Sequence, residues 1–226
     1  MKKISLITTA DGSHSLHLDE IGEGYHSVQG AVAEAQHVYI NPNLAIQSQT
    51  TKELNVLEMG FGTGLNALLT LLYAEEHNFI IHYHTIEAYP LNENIYTQLN
   101  YPTTCTKNPN ATEWFLKIHQ SPWNTPIEIT PHFVLNKQLG DAQETIKNLT
   151  FPFHCCYYDA FAPQYQPELW SEAIFSQLYA IAQPGAIVST YCCKGDVKRA
   201  LKFAGFKIEK LPGFANKREM LRATKI

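Results

Sequence analysis

The sequence predicts an α/β fold built on a doubly wound, largely parallel sheet that ends in an antiparallel hairpin. From residue 54 onward, short apolar runs of strand length alternate with longer segments of helical periodicity, which is typical of such a sheet. A glycine-rich turn at residues 60–64 joins the first of these strands to the first helix. Acidic side chains follow several predicted strands, at the edge where parallel sheets bind their ligands.

The first part of the chain lacks this alternation. Residues 4–9 and 16–21 predict two short strands, and residues 28–39 predict a helix. We therefore expect residues 1–53 to form a small N-terminal extension that packs on a single globular domain of residues 54–226.

The remaining elements complete a Rossmann-like order with one interruption. Residues 101–127 are rich in Pro, Asn and Thr and predict an irregular insertion, whereas 206–211 and 219–224 predict the terminal hairpin. Strands are predicted at 54–59, 80–87, 132–139, 154–159 and 186–192, and helices near 64–77, 91–99, 141–148, 167–182 and 196–204.

The composition is that of a globular protein without a membrane-spanning segment. Of 226 residues, 45% are hydrophobic and 17% are charged, and no apolar run approaches about 18 residues. The N-terminus lacks a signal-like apolar stretch, so we expect a cytoplasmic protein with no membrane partner. Four of the five cysteines form adjacent pairs at 155–156 and 192–193. Neighbours in a strand face opposite sides, so these pairs predict small core residues in a reducing compartment and no metal site.

Basic residues are concentrated at the end of the chain. The formal net charge is −4, yet residues 191–226 hold ten of the seventeen Lys and Arg residues and only three acids. This segment therefore carries a formal charge of +7 and the rest of the chain −11. A basic face on an acidic body predicts a polyanionic partner at one edge, and the alternative is an ordinary solvated surface.

The glycine-rich turn carries the most specific ligand signal. Glu58 is followed by Gly60, Gly62 and Gly64, whereas a dinucleotide fingerprint would place its third glycine at position 65, where leucine stands. Alternating glycines after an acid are the pattern of enzymes that use S-adenosylmethionine (SAM). SAM has no pyrophosphate, and its sulfonium, ammonium and ribose diol favour nearby carboxylates. The alternative is a glycine turn that binds no ligand.

Two acids after later strands fit the nucleoside half of SAM. Glu87 could accept hydrogen bonds from both ribose hydroxyls, or could be an acid favoured near a helix N-terminus. Asp141 could cap the next helix or hold the adenine amino group. The backbone N–H of Ala142 could hydrogen-bond to the adenine while the Asp141 side chain caps the helix.

Asp159, at the end of a predicted central strand, is the candidate for the reacting group. An amine must be uncharged to attack a methyl group, and Asp159 could accept its proton or orient it by hydrogen bonding. The alternative is that Asp159 caps the helix predicted from residue 167. Phe161, Tyr165 and Trp170 could wall the pocket, exclude water and stack on a base.

Four motifs together resemble one family. They are Tyr25-His26-Ser27 before Gly-Ala, the Glu-Met-Gly-Phe-Gly-Thr-Gly-Leu-Asn run at 58–66, the Asp-Ala-Phe-Ala-Pro run at 159–163, and the closing Lys-Arg-Glu-Met-Leu at 217–221. Over residues 8–225 the chain resembles the family of methyltransferase domains found in the bacterial tRNA-modification protein MnmC and its stand-alone relatives.

A lone His26 is more simply interpreted as packed or exposed than as a catalytic base.

The resemblance implies a class I SAM-dependent methyltransferase with a seven-stranded sheet. The implied reaction methylates the 5-aminomethyl group of the wobble uridine (position 34), in a tRNA whose anticodon stem-loop would be held by the basic C-terminal region. Bifunctional members continue into an FAD-dependent oxidase domain, and because this chain ends at Ile226 we expect it to bind no flavin.

The resemblance also assigns residues by motif position. SAM and the reaction site would be lined by Glu58, Gly60, Phe61, Gly62, Thr63, Gly64, Asn66, Glu87, Asp141 and Asp159, with Glu34 and Asn43 near the methionine end. The substrate pocket would lie beside Lys217, Arg218 and Glu219, and we place Tyr25, His26, Ser27, Phe161 and Pro163 on the same side.

Two other functions stay open. A SAM-dependent transferase acting on a small amine would need no basic surface. A SAM-fold RNA-binding module that has lost catalysis is the second alternative. The presence of Glu58, Glu87 and Asp159 together argues against it, since an inactive fold has no need of all three acids.

Overall fold

The computed structural model describes residues 4–20 and 22–226, which form a small sheet beside a large one. The small sheet is antiparallel and consists of β1 (Ile4–Thr8), β2 (His14–Leu18) and β3 (Glu23–Gly24). Ile21, the expected end of the second strand, lies outside the described residues.

The N-terminal helical segment begins later and runs further than the sequence predicted. It consists of α1 (Ala31–Ala35), a π-helix (Gln36–Leu44) and α2 (Ala45–Gln47). Pro42 lies inside the π-helix, where the ring removes one backbone donor. A π-helix of this length is rare, and π-helical turns are frequently found at functional sites.

The large sheet confirms the predicted doubly wound order. Its strands are β4 (Glu53–Met59), β5 (Ile80–Glu87), β6 (Ile127–Thr130), β7 (Phe133–Leu139), β8 (Phe153–Tyr158), β9 (Ala182–Thr190), β10 (Lys207–Pro212) and β11 (Glu219–Thr224). They are arranged in the order β10-β11-β9-β8-β4-β5-β7-β6. The five strands from β9 to β7 are parallel, and the β10–β11 hairpin is antiparallel, as predicted.

This sheet has one strand more than the seven that the resemblance implies. The extra strand, β6, pairs with β7 in antiparallel fashion at the far edge. The chain runs from β4 outward through β5 to β7 and then returns to β8 on the other side of β4. The switch point therefore lies between β4 and β8, where sheets of this kind bind ligands.

The segment predicted to be an irregular insertion is folded. It contains α5 (Tyr101–Thr104) and α6 (Ala111–Gln120) and leads into β6. Pro102 lies in the first turn of α5, where a missing N–H costs nothing. Pro102 therefore marks a helix start, whereas Pro109, Pro122 and Pro126 lie in the connections between elements.

The remaining helices cover both faces of the large sheet. They are α3 (Leu65–His77), α4 (Glu93–Tyr96), α7 (Ala142–Thr145), α8 (Glu172–Ile181) and α9 (Gly195–Phe203), with short 3₁₀ turns at Ile146–Asn148 and Pro167–Trp170. Cys155 is packed in the core beneath α3, and Cys156 in the core beneath α8. The adjacent cysteines thus face opposite cores, as the strand period predicts. Among the described residues, no helix is long and apolar enough to cross a membrane.

Candidate active site

A cavity of about 1170 Å³ opens along the carboxyl edge of the large sheet. Its wall follows the strand order, from Asp141 after β7 and Glu87 at the end of β5 to Asp159 after β8 and Tyr191 after β9. The glycine turn after β4 lies between these two halves. The cavity therefore lies at the edge of the sheet where the sequence predicted a ligand site.

Most residues predicted from the sequence are on the wall of this cavity. On it lie Tyr25, His26, Ser27, Glu34, Gly60, Phe61, Gly62, Thr63, Asn66, Glu87, Asp141, Ala142, Asp159, Phe161, Tyr165 and Lys217. Away from it lie Asn43, Glu58, Gly64, Pro163, Trp170, Arg218 and Glu219.

The three glycines of the turn bend the backbone as predicted. Their φ angles are +94° at Gly60, +51° at Gly62 and +73° at Gly64, a region that side chains disfavour. A Cβ at Gly64 would also lie 2.8 Å from Nε2 of His119, and one at Gly62 would lie 3.3 Å from the Tyr25 ring. Glycine is therefore required at this turn for packing as well as for bending.

Glu87 is held rigidly at the end of β5. One carboxylate oxygen accepts a 2.9 Å hydrogen bond from the backbone N–H of Gly62, and the other accepts a 2.8 Å bond from that of Tyr89. The next helix, α4, begins only at Glu93, so Glu87 is not a helix N-terminal acid. Each carboxylate oxygen can accept a second hydrogen bond, which fits a ribose diol.

Asp141 caps α7, which was one of its two predicted roles. Its carboxylate accepts a 2.8 Å bond from the backbone N–H of Gln143. Asp141 and Ala142 both line the same end of the cavity, beyond Glu87. The contacts of Asp141 therefore show the capping role.

Asp159 is at the centre of the site and does not cap a helix. Its Oδ1 accepts a 2.6 Å bond from the hydroxyl of Tyr39, and its Oδ2 accepts a 2.9 Å bond from the side-chain amide of Asn66. The cap of α8 is Ser171. Burial raises the pKa of Asp159 to about 7, and the Tyr39 hydrogen bond opposes this rise. A carboxyl group with this pKa can exchange protons near neutral pH.

The structure corrects the roles expected for Glu58 and Asn43. Glu58 is fully buried behind the cavity wall, next to the side chains of Thr85, Asn66 and Tyr83. Burial raises the pKa of Glu58 well above its ordinary value, which favours the neutral acid, and the side chain is not on the cavity wall. Asn43 is also fully buried, and its amide donates to the carbonyl oxygens of Cys156 and Ile187 at 3.1 and 3.2 Å. Asn43 therefore joins the π-helix to β8 and β9.

Aromatic rings line the mouth of the cavity near Asp159. The rings of Tyr25 and Phe161 meet edge to face, with centroids 5.2 Å apart. Trp170 lies behind this wall, and its indole N–H donates to the carbonyl oxygen of Phe161 at 2.8 Å. Tyr165 is partly exposed at the rim. Trp170 thus supports the wall that it was predicted to form.

His26 is packed, as the simpler interpretation held. Its Nδ1 is 2.9 Å from the Ser15 hydroxyl, and burial lowers the pKa of His26 to about 4. The imidazole is therefore neutral at pH 7. The backbone N–H of Ser27 donates to Glu34 at 2.6 Å, so the Tyr-His-Ser segment orients a carboxylate.

Part of the basic C-terminal segment is engaged in ion pairs within the protein. Lys217 pairs with Glu34 at 2.7 Å, and Lys210 pairs with Glu219 at 3.0 Å. Arg222 pairs with Glu209 at 2.6 Å. Arg218 is exposed beside Lys217, at the loop between β10 and β11. Counting Arg199 with Asp196, four of the ten basic residues form ion pairs, and the segment keeps a net positive charge.

Sequence reasoning missed two residues of the site, Tyr39 and Tyr191. Tyr39 lies in a π-helix, whose period no apolar pattern revealed. Tyr191 directly follows β9, its hydroxyl donates to the carbonyl oxygen of Ala160 at 2.8 Å, and its ring lies on the cavity wall. The rule that ligand-binding residues follow parallel strands could have identified Tyr191, since it holds for every strand of the sheet.

The strand order, the glycine turn and the strand-end acids define a class I SAM-dependent methyltransferase. Residues 107–226, more than half of the chain, match the family described as S-adenosyl-L-methionine-dependent methyltransferase, and the chain belongs to this family.

Individual relatives agree with this membership. The chain is 35% identical over 214 residues to the tRNA 5-methylaminomethyl-2-thiouridine biosynthesis bifunctional protein MnmC of Burkholderia pseudomallei. That match covers 88% of this chain and 32% of the relative, so the chain spans about a third of the relative's length.

Solved structures show the same architecture. MnmC2 from Aquifex aeolicus superposes with a TM-score of 0.83 and 25% identity, over 99% of this chain and 70% of the other. CalS10, an amino pentose methyltransferase from Micromonospora echinaspora, superposes with a TM-score of 0.50 and 12% identity over 91% and 93% of the two chains. The second likeness shows a shared fold alone.

Proposed function

We propose that this protein methylates the amine of a 5-aminomethyl group on the wobble uridine (position 34) of tRNA. The observation that carries the proposal is a carboxyl group with a pKa of about 7, Asp159, at the centre of a cavity with a SAM-type glycine turn. The name of the Burkholderia relative specifies a 5-methylaminomethyl product. The N-methyl group of that product is what a SAM-dependent methyltransferase adds to an aminomethyl precursor.

The residues present fit SAM. The fixed carboxylate of Glu87 is suited to the ribose hydroxyls, and the backbone of Ala142 is suited to the adenine. The positive φ angles of Gly60 and Gly62 let the backbone approach a ligand with no Cβ in the way. When bound, SAM supplies an electrophilic methyl group.

Asp159 would accept a proton from the acceptor amine. An ammonium has no lone pair, so it must lose a proton before nitrogen attacks the methyl carbon and the sulfur–methyl bond breaks. The Asp159 carboxylate would accept that proton, and its pKa near 7 makes it a competent base at neutral pH. Tyr39 and Asn66 hold both carboxylate oxygens, which fixes the direction of the remaining lone pairs.

The aromatic mouth of the cavity fits a nucleobase rather than a small aliphatic amine. Tyr25 and Phe161 form an edge that can exclude water, and Tyr165 at the rim can stack on a base. The uridine would leave the anticodon stack to reach Asp159, because a stacked base cannot enter a cavity at a sheet edge.

Phosphate contacts would come from cations beside the mouth. Arg218 follows Lys217 in the hairpin loop, and Lys194 donates to the side-chain oxygen of Gln164 in the loop after Asp159. Cations at these positions suit the phosphates of an anticodon stem-loop. The proposed reaction belongs to the cytoplasm, and five unpaired thiols are compatible with that compartment.

The test is methyl transfer from labelled SAM to two tRNA pools, one bearing 5-aminomethyluridine and one lacking the wobble modification. We expect label in the first pool alone, with Asp159→Asn abolishing transfer while S-adenosylhomocysteine still binds in calorimetry. Label in neither pool, with cofactor binding intact, would reject the tRNA substrate. Turnover of a free small amine that is insensitive to salt would then favour the small-amine alternative.

A further inference from the structure

The loop that follows Asp159 is fixed by hydrogen bonds from two aromatic side chains. The hydroxyl of Tyr191 donates to the carbonyl oxygen of Ala160 at 2.8 Å. The indole N–H of Trp170 donates to the carbonyl oxygen of Phe161, also at 2.8 Å. A segment anchored in this way keeps its shape when a ligand enters, which a site needs if it is to recognise one ligand and reject a similar one.

Gln166 closes this loop from its far end. Its side-chain oxygen, Oε1, accepts a 3.0 Å hydrogen bond from the backbone N–H of Phe161. Its own backbone N–H donates to the carbonyl oxygen of Ala162 at 3.2 Å. Pro167 follows directly and narrows the backbone conformations that are open to Gln166. The backbone and the side-chain oxygen of Gln166 are therefore both held in place.

The side-chain nitrogen of Gln166 is the group that remains for a ligand. Because the N–H of Phe161 needs an acceptor, the amide oxygen must be the atom that faces it, and this settles the orientation of the amide. The residue is half-buried and lies on the cavity wall. Among the residues that the structure describes, none accepts a hydrogen bond from Nε2. The loop thus presents two N–H donors in a fixed direction.

The place of this donor beside Asp159 matches one edge of a uracil. Phe161, which anchors the Gln166 amide, is only two residues after Asp159. In a 5-aminomethyluracil, the carbonyl group at C4 is next to the carbon that carries the aminomethyl group. An amine placed at Asp159 therefore brings O4 to the same part of the wall as the anchored amide. Uracil has an acceptor at this position, whereas cytosine has an amino donor.

We propose that Gln166 donates a hydrogen bond from Nε2 to O4 of the wobble uracil and thereby selects uridine over cytidine. The inference rests on the proposed function and adds the residue that distinguishes the base. Position 2 of the ring lies opposite C5, so a sulfur atom there leaves this contact unchanged.

The chemistry of the amide favours a base carbonyl over the cationic groups that enter the same cavity. The sulfonium of SAM and an ammonium of the acceptor carry no lone pair, so neither can accept a hydrogen bond from Nε2. The simplest alternative is that Gln166 only holds the loop. A residue with that role alone would affect uridine and cytidine substrates to the same extent, which makes the two roles separable by experiment.

The experiment compares two anticodon stem-loop RNAs of one sequence, with 5-aminomethyluridine or 5-aminomethylcytidine at the wobble position. Initial rates of methyl transfer give kcat/KM for each RNA, and we expect the wild-type protein to favour the uridine RNA by about tenfold or more. Gln166→Glu keeps an oxygen for the N–H of Phe161 but places an acceptor where Nε2 was. The ratio of the two kcat/KM values should therefore fall about tenfold or more, while S-adenosylhomocysteine binds as in the wild type.

Gln164→Glu is the matched control. It makes the same chemical change two residues away, at an exposed side chain that is not on the cavity wall. It should leave the ratio of the two kcat/KM values at the wild-type value, even if the added charge weakens the binding of both RNAs.

Two results would overturn the assignment of Gln166. They are a wild-type ratio in Gln166→Glu, which includes an equal loss on both RNAs, and equal methylation of the two RNAs by the wild-type protein. Methylation of neither RNA by the wild-type protein, with S-adenosylhomocysteine still bound, is a different result. It would reject the wobble substrate itself, on which the role of Gln166 depends.

Discussion

The hydroxyl of Tyr39 donates a 2.6 Å hydrogen bond to Asp159, a residue 120 positions further along the chain. Tyr39 lies five residues after Glu34, and both side chains reach the same cavity wall. In a regular α-helix, five residues would place the two about 140° apart around the axis. The π-helix, which begins at Gln36 between the two residues, turns less per residue, and both side chains reach the same wall.

Removing the Tyr39 hydroxyl should shift the pH dependence of catalysis. The hydrogen bond stabilises the ionised carboxylate and lowers the pKa of Asp159. A hydrogen bond to a charged group contributes about 1.5–3 kcal/mol, so Tyr39→Phe should move the pKa of about 7 upward by about 1–2 units. The rate at pH 7 falls and recovers near pH 9, as measured by initial rates across pH.

The control for this shift is Tyr73→Phe. The hydroxyl of Tyr73 lies 2.8 Å from that of Ser48 and away from the cavity wall, so its loss should leave the pH profile unchanged. An unchanged profile in Tyr39→Phe would mean that Asp159 does not act as the base.

Asp159 should reduce the stability of the fold at alkaline pH. Its pKa is about 7 in the native state against an ordinary 3.8, so between these values the native state binds more protons than the unfolded state. The free energy of unfolding therefore falls as pH rises through 7. Asp159→Asn should raise Tm at pH 8 by at least about 2 °C, and the gain should disappear at pH 4. A Tm difference that is equal at both pH values would contradict a protonated Asp159.

The glycine turn should tolerate a side chain less well than other glycines with positive φ. Gly64→Ala combines backbone strain at φ +73° with a Cβ placed 2.8 Å from Nε2 of His119. His119 is stacked on Tyr96 with ring centroids 4.2 Å apart, which limits its retreat. We expect a lower Tm and weaker binding of S-adenosylhomocysteine.

Gly185→Ala is the control for Gly64→Ala, because it introduces backbone strain without a steric clash. Gly185 has φ +82°, but a Cβ there would meet no heavy atom within 4 Å. It should cost only the backbone strain of about 1–2 kcal/mol, with cofactor affinity unchanged. Equal Tm losses in the two variants would show that the approach of His119 does not constrain the turn.

Arg218 should contribute to tRNA affinity and not to cofactor affinity. Arg218→Glu replaces an exposed cation beside the mouth with an anion, and we expect about tenfold weaker tRNA binding at low salt and a shallower salt dependence. Lys52→Glu is the matched control, because exposed Lys52 precedes β4 at the opposite edge of the sheet. If the two variants bind tRNA equally well, the docking surface lies elsewhere.

The sequence by itself determined the parallel sheet, the glycine turn and the edge at which the site lies. These features depend on local periodicity and on glycine spacing, which are visible over a few residues. Periodicity also placed Glu87 and Asp159 at strand ends, and the structure confirms both on the cavity wall. For residues 101–127, composition indicated the irregular connections at 105–110 and 121–126 but missed α5 and α6, because Pro at a helix start and Pro in a loop look alike without the packing.

Only the tertiary structure decided which groups face the ligand and in what protonation state. Glu58, one residue before the end of β4, is buried away from the cavity wall, whereas Asp159, just beyond β8, lines the cavity. The pKa of Asp159 depends on burial and on Tyr39, and the charge of Glu34 is balanced by Lys217. These contacts join residues 120 and 183 positions apart, and no local pattern carries information over such separations.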